Sequence, residues 1–345
     1  MRGVLLIGSR ASSRAQHGSL GAFLDVDGET DWRLGDMAYH LKQTERVGRG
    51  LRRLARKELR AAIDALRQTT PTDDTIHEAR RSLKKVRAIY NVLEADDARG
   101  LRGSRKRLRR VNRTLSRLRD ADAMLQTLAA VTRGRSRVID EHGLARLKRR
   151  LSAKKQGSLE TADRRGTWEA LTSDLRKLRR SARKWRPIHR GVGALASGIR
   201  RTHRQGCKAM ARAKDTQRAS DFHEWRKQVK ALWYELRLVE ESSTVIRRHV
   251  TALHRAETAL GDDHNLVLLC AELTSERPGS GEDSFDRLRA AAATRQGELR
   301  RRALARVEPL YRRRTAAFVR EITRAWKMWR RGSSVRSTSH RRSAA

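Results

Sequence analysis

The chain has 345 residues, with 80 Lys+Arg against 39 Asp+Glu and a formal net charge of +41, which bears on its partners and says little about its fold. Two cysteines, Cys207 and Cys270, are too few for a disulfide framework or a thiolate zinc site and point to packed thiols in a reducing compartment. The apolar run Val4-Leu5-Leu6-Ile7 is too short for a signal-peptide core, and no stretch approaches the ~20 apolar residues of a membrane span, so the chain reads as soluble and cytoplasmic.

Residues 1–35 read as an N-terminal extension. Helical periodicity then predicts helices near 36–68, 75–95, 102–132 and 139–185, followed by 190–217, 221–241, 244–276 and 283–330. Strand-like alternation is absent, and Pro71, Pro187 and Pro278 fall between these segments, so the fold class is all-α. Pro309 should kink or divide the last stretch, and Gly157 and Gly166 can do the same in the fourth. Residues 332–345, with Arg336, His340, Arg341 and Arg342 and no acids, read as a disordered basic tail.

The eight helices fall into two sets of four that align as an internal repeat. His77-Glu78-Ala79-Arg80-Arg81-Ser82-Leu83-Lys84 matches His223-Glu224-Trp225-Arg226-Lys227-Gln228-Val229-Lys230 at an offset of 146. Leu115-Ser116-Arg117-Leu118-Arg119-Asp120 matches Leu260-Gly261-Asp262-Asp263-His264-Asn265 at an offset of 145. Upstream, Gly50 with Arg53, Arg56 and Arg60 matches Gly198 with Arg201, Arg204 and Lys208 at an offset of 148. The halves, 36–186 and 187–331, meet near Pro187-Ile188-His189-Arg190-Gly191.

In both copies His, Arg, a second cation and Lys stand at positions 0, +3, +4 and +7, which a turn of about 100° per residue gathers on one helix face. Like charges in a row repel, so a stripe used twice calls for an anion along it, and a chain of phosphates fits. The opposite faces are apolar: Leu83, Val86, Tyr90 and Leu93 in one copy, Val229, Leu232, Leu236 and Val239 in the other. Thr75 through Glu78, and Asp221 through Glu224, read as capping boxes that would set both histidines at the second helical position, within an anion-binding helix N-terminus. Neither copy carries a second His or Cys at i+3 or i+4, so no metal site is expected. Asp262-Asp263-His264 reads as a polar cluster at a helix turn, and Asp120 and Asn265 as groups that orient basic side chains.

The spacing His-x-x-Arg-(Arg/Lys)-x-x-Lys, followed by Leu-x-x-Leu-Arg-Asp-Ala-Asp in one half and Leu-Gly-Asp-Asp-His-Asn-Leu in the other, resembles the CHAD family of α-helical domains from about Asp36 to Arg331. That resemblance implies two four-helix bundles related by pseudo-twofold symmetry, enclosing a basic channel that binds inorganic polyphosphate, and no intrinsic catalysis. It points to His77, Arg80, Arg81, Lys84, Lys85 and Arg87 in the first half and to His223, Arg226, Lys227 and Lys230 in the second. Arg53, Arg56, Arg60, Arg119, Arg201, Arg204 and Lys208 form a second rank of phosphate contacts. The second stripe is shorter, because Ala231 and Trp233 replace the Lys85 and Arg87 of the first. No cofactor is expected, and association with polyphosphate granules would follow.

Two other functions fit the charge. Nonspecific nucleic-acid binding is the first alternative, although helix-turn-helix, zinc-finger and RNA-recognition signatures are missing and only 4% of residues are aromatic. A metal-dependent phosphohydrolase is the second. The stripes hold almost no acids to carry Mg²⁺ between phosphates, and Glu78 and Glu224 are expected to be committed to capping.

Overall fold

The computed structural model describes residues 39–67, 71–133, 141–189, 191–274 and 282–342, with the side chains of 120–121, 141, 282–284 and 333–342 outside the description. The N-terminal extension, Arg190 and Pro278 therefore lie outside the described residues, as do the side chains of Asp120 and of the tail cations named above. Ten α-helices occupy them: α1 Val47–Leu66, α2 Asp73–Ala95, α3 Ser104–Thr132, α4 Glu141–Arg164, α5 Thr167–Ser181, α6 Gly193–Thr216, α7 Ala219–Arg237, α8 Thr244–Thr274, α9 Glu282–Tyr311 and α10 Thr315–Arg342. The one β feature among them is an isolated antiparallel bridge between Arg99 and Arg186, whose backbone groups exchange hydrogen bonds of 2.9 and 3.0 Å. The fold is all-α, and no described helix is long and apolar enough to cross a membrane.

The first predicted helix starts about ten residues late. Residues 39–46 are irregular because their polar groups are tied to three other segments. Tyr39 Oη donates to the Lys85 carbonyl (2.9 Å), Leu41 N donates to the Leu238 carbonyl (2.9 Å), and Arg330 Nη1 donates to the Glu45 carbonyl (3.1 Å). Tyr39 and Leu41 are buried by these ties, and Arg46 takes an extended conformation as the N-cap of α1.

The fourth predicted helix is two helices, α4 and α5, divided at Gly166, which adopts the left-handed φ of 60° that a side chain disfavours. Gly157 stays within α4. The last stretch is also two helices. Pro309 sits in the final turn of α9 rather than at the break, and residues 312–314 separate α9 from α10. Having no N–H to continue the ladder, Pro309 weakens that turn, and the chain leaves the helix two residues later. The α10 helix runs on to Arg342, through most of the stretch expected as a disordered tail; no proline lies in it to stop the backbone ladder.

The apolar stripes make the core. Leu51, Leu54 and Leu59 of α1, Leu83, Val86, Tyr90 and Leu93 of α2, and Val229, Leu232 and Leu236 of α7 are all buried, as is Val239 just beyond α7. Each buried Leu or Val contributes roughly 1.5–3 kcal/mol of transfer free energy. Helix neighbours recur between the halves: α1 packs on α2 as α6 does on α7, α2 on α3 as α7 does on α8, and α3 on α4 as α8 does on α9. The α2 helix also packs against α6 and α7, and α3 against α8. Gly198 admits a close approach of α6 to α2, since a Cβ there would lie 2.8 Å from Val92 Cα.

Candidate functional site

Neither striped helix starts where the capping boxes predict. Thr72, following Pro71, is the N-cap of α2; its Oγ1 accepts from Thr75 N at 3.4 Å, and Asp73 and Asp74 place acids in the first turn. Lys155 of α4 contacts Asp73 and lies 3.0 Å from Asp122, so this helix start is met by a cation of the protein itself. The α7 helix starts at Ala219 with Arg218 as N-cap, and Asp221 bonds Thr216 Oγ1 (2.7 Å) and Arg212 (2.9 Å). His77 and His223 are thus the fifth residues of their helices, beyond the free first-turn N–H groups, and the helix-terminus anion site is withdrawn. Glu224 does not cap either. Its carboxylate accepts from Lys227 (2.9 Å) and Gln228 (3.1 Å).

The stripes themselves converge. Lys84 and Lys230, the +7 residues of the two copies, come close enough that the Lys230 ammonium is the main cause holding the Lys84 ammonium well below its usual range, with burial next. Burial brings Lys230 down to about 8, helped by Arg226 and opposed by Glu257. Arg226 Nη2 lies 3.1 Å from Glu257 Oε1, and Lys230 contacts the same oxygen. This crowd of cations holds the Glu257 carboxyl far below the carboxylate range despite its burial. Arg87 joins the cluster, its guanidinium disfavoured by burial and by Arg226. Gly261 lets α8 approach, because a Cβ there would stand 3.0 Å from Arg226 Nη2.

The histidines form matched pairs. His77 Nδ1 meets Arg119 Nη1, and the His223 ring lies against that of His264, tilted by 39° with centroids 4.1 Å apart; Arg119 and His264 are themselves repeat equivalents. Burial and the cations beside them push His77 down to about 3, with Arg119 first among those cations, and hold His223 and His264 at about 4. His223 Nδ1 and Arg226 Nε are buried without a hydrogen-bond partner in the protein, a state that native structures rarely leave unused. The Arg226 N–H, and His223 Nδ1 when it carries a proton, are suited to an anionic oxygen.

Other expected residues are placed differently. Lys85 is buried on the far side of α2, 3.3 Å from the buried Glu58 and over the Tyr39 ring, rather than in the stripe. Arg81 and Lys227 are exposed, and Arg80 is half-buried. Arg53 bonds Glu45 and the His40 carbonyl, Arg60 bonds Asp64, and Arg201 bonds the Asn91 carbonyl and Glu94. Arg204 and Lys208 are exposed on α6, and Arg56 is half-buried on α1. Trp233, which takes the place of Arg87 in the second copy, packs against the His254 ring in a tilted contact, with centroids 4.6 Å apart.

The 262–264 triplet is dispersed. Asp263 bonds Arg300 at 2.8 Å, while burial and the Glu257 charge raise Asp262 to about 7. Among the described residues, no three His, Cys, Asp or Glu side chains are grouped to hold a metal ion. Burial pushes the Cys207 and Cys270 thiols up, as expected of packed cysteines. Sequence reasoning missed Glu257. The signal was available in the repeat, where the offset of 145 puts an acid in the second half opposite Asn112 in the first.

The profile of the CHAD domain matches residues 50–274. The CHAD domain from the plant Ricinus communis superposes with a TM-score of 0.57 at 17% identity, over 80% of this chain and 95% of that one. PptA from Streptomyces chartreusis superposes with a TM-score of 0.53 at 17% identity, over 82% of this chain and all of that one. No curated protein sequence matches the chain.

Proposed function

Because the chain belongs to the CHAD domain family, we propose that it binds inorganic polyphosphate along the facing cation stripes of α2 and α7. The observation that carries this reading is the meeting of Lys84 and Lys230. The Lys230 ammonium disfavours the charge of Lys84, the packing of α2 on α7 holds the two helices together, and a polyanion relieves that repulsion on binding. Cations on successive turns recur every ~5.4 Å along each helix, and the buried apolar faces behind them keep them in place. In this reading the two halves of the repeat, α1–α5 and α6–α10, stand on either side of a basic channel, with His77, Arg80, Arg81, Lys84 and Arg87 along one wall and His223, Arg226, Lys227 and Lys230 along the other. The flanking Arg119 supports His77. The protein acts as a binding module without catalysis, and its destination is the polyphosphate granule of the cytoplasm.

The test is titration of fluorescently labelled long-chain polyphosphate with the wild type, with the Arg80→Ala, Arg81→Ala, Lys84→Ala triple variant, and with an Arg301→Ala, Arg302→Ala, Arg306→Ala control. The control removes three exposed cations of α9. The stripe variant should lose about ten-fold or more in affinity at physiological salt, since three fewer phosphates are neutralised there, whereas the control should change little. Equal losses in both variants would make the binding diffuse electrostatics.

A further inference from the structure

Resting on the polyphosphate reading, we infer that Glu257 is an internal counter-anion, which occupies the second stripe in the free protein and must be displaced when polymer engages it. The repeat makes the argument. In the second half each of the three stripe cations is in an ion pair: Arg226 and Lys230 with Glu257, Lys227 with Glu224. The position equivalent to Glu257 in the first half is Asn112, whose amide is turned to its own helix and donates to the Leu108 carbonyl at 2.9 Å. The acid is therefore an asymmetric addition to a duplicated cation site.

Its location suits the role. Glu257 is centred on the cations that the two halves bring together, since its charge stabilises Lys84 of the first stripe as well as Lys230 and Arg226 of the second. Its side chain is 12% exposed, so it screens the cluster from within. A carboxylate offers two oxygens, which leaves groups over: Arg226 Nε, on the guanidinium that Glu257 pairs, and His223 Nδ1, one turn earlier on α7, remain buried without a hydrogen bond. A run of phosphates brings more acceptors than one carboxylate and can satisfy both. Polymer that reaches the cluster takes the place of Glu257, which gives up Arg226 and Lys230 as the second stripe engages.

The experiment compares wild type, Glu257→Gln and Asn112→Glu for binding of labelled long-chain polyphosphate across a salt series, with melting temperatures recorded with and without polymer. Glu257→Gln should bind about five-fold more tightly at 0.1 M salt and steepen the slope of log K against log salt by about 1, as release of one further counterion requires. Free Glu257→Gln should melt below wild type and be raised further by polymer. Asn112→Glu should bind more weakly and flatten the slope. A folded Glu257→Gln that binds no better than wild type, or an Asn112→Glu with unchanged affinity and slope, overturns the counter-anion role while leaving polyphosphate binding intact. If wild type fails to bind polyphosphate but Glu257→Gln binds it, the masking role stands and the proposed activity of the native chain falls. If neither binds it, both fall.

Discussion

Lys84 and Lys230 hold the same position in two copies of one motif, 146 residues apart, and the fold brings them close enough that the Lys230 charge is the main cause disfavouring that of Lys84. They are not equivalent in energy. Lys230 is 10% exposed and contacts Glu257, whereas Lys84 is disfavoured chiefly by Lys230. Lys84→Met should therefore leave the free protein as stable as wild type or more so, by up to about 1 kcal/mol as repulsion is relieved. Lys230→Met should cost about 1–3 kcal/mol, because it weakens the pairing of a buried carboxylate. Chemical denaturation of the two variants checks the opposite signs, and both should bind polyphosphate less well.

Polyphosphate affinity should rise as pH falls from about 7 toward 5. His77 is held at about 3 in the free protein and His223 and His264 at about 4, so all three are neutral near neutral pH. Phosphate beside them favours the imidazolium and raises these values, which means that binding takes up protons and tightens as protons become available. Asp262, held up at about 7, loses its negative charge over the same range and acts in the same direction. Calorimetry in buffers of different ionisation enthalpy should register proton uptake, and His77→Asn with His223→Asn should flatten the profile.

The start of α2 predicts a stability effect separable from binding. Thr72→Ala removes the side-chain acceptor at the N-cap and should cost about 0.5–1 kcal/mol. Polyphosphate affinity should stay within two-fold of wild type, as His77 lies a full turn further on.

No phosphate should be released from polyphosphate, ATP or inorganic triphosphate with Mg²⁺ or Mn²⁺ present. Glu257 is engaged by Lys230 and Arg226, and Glu224 by Lys227, so neither carboxylate is placed to share a metal with phosphate. A malachite-green assay checks this, and turnover lost in Glu257→Gln would revive the hydrolase reading.

Helix content and the two cation stripes were legible in the sequence because periodicity and the repeat are read along the chain itself. Leu83, Val86 and Tyr90 are buried where the 3.6-residue pattern places them. The cap of α2 was misplaced by three residues because Thr72 and Thr75 are both competent N-caps, and the choice was settled by Pro71 and the Asp73-Asp74 first turn. Lys85 was assigned to the stripe by resemblance. Eight residues at about 100° each turn it some 80° away from His77, toward α1 and Glu58. Glu257 was out of reach of periodicity, since its partners Arg226 and Lys230 depend on how α8 lies against α7.

Competition at physiological salt tests the central claim most directly. Labelled long-chain polyphosphate bound to the full chain is challenged with unlabelled polyphosphate, duplex DNA, single-stranded RNA and triphosphate, matched by phosphate concentration. Facing stripes set to take a single flexible phosphate chain predict displacement by unlabelled polyphosphate at concentrations at which the duplex, whose charges are fixed on a wide cylinder, does not compete. Equal or stronger displacement by DNA would contradict polyphosphate binding as the function of this site.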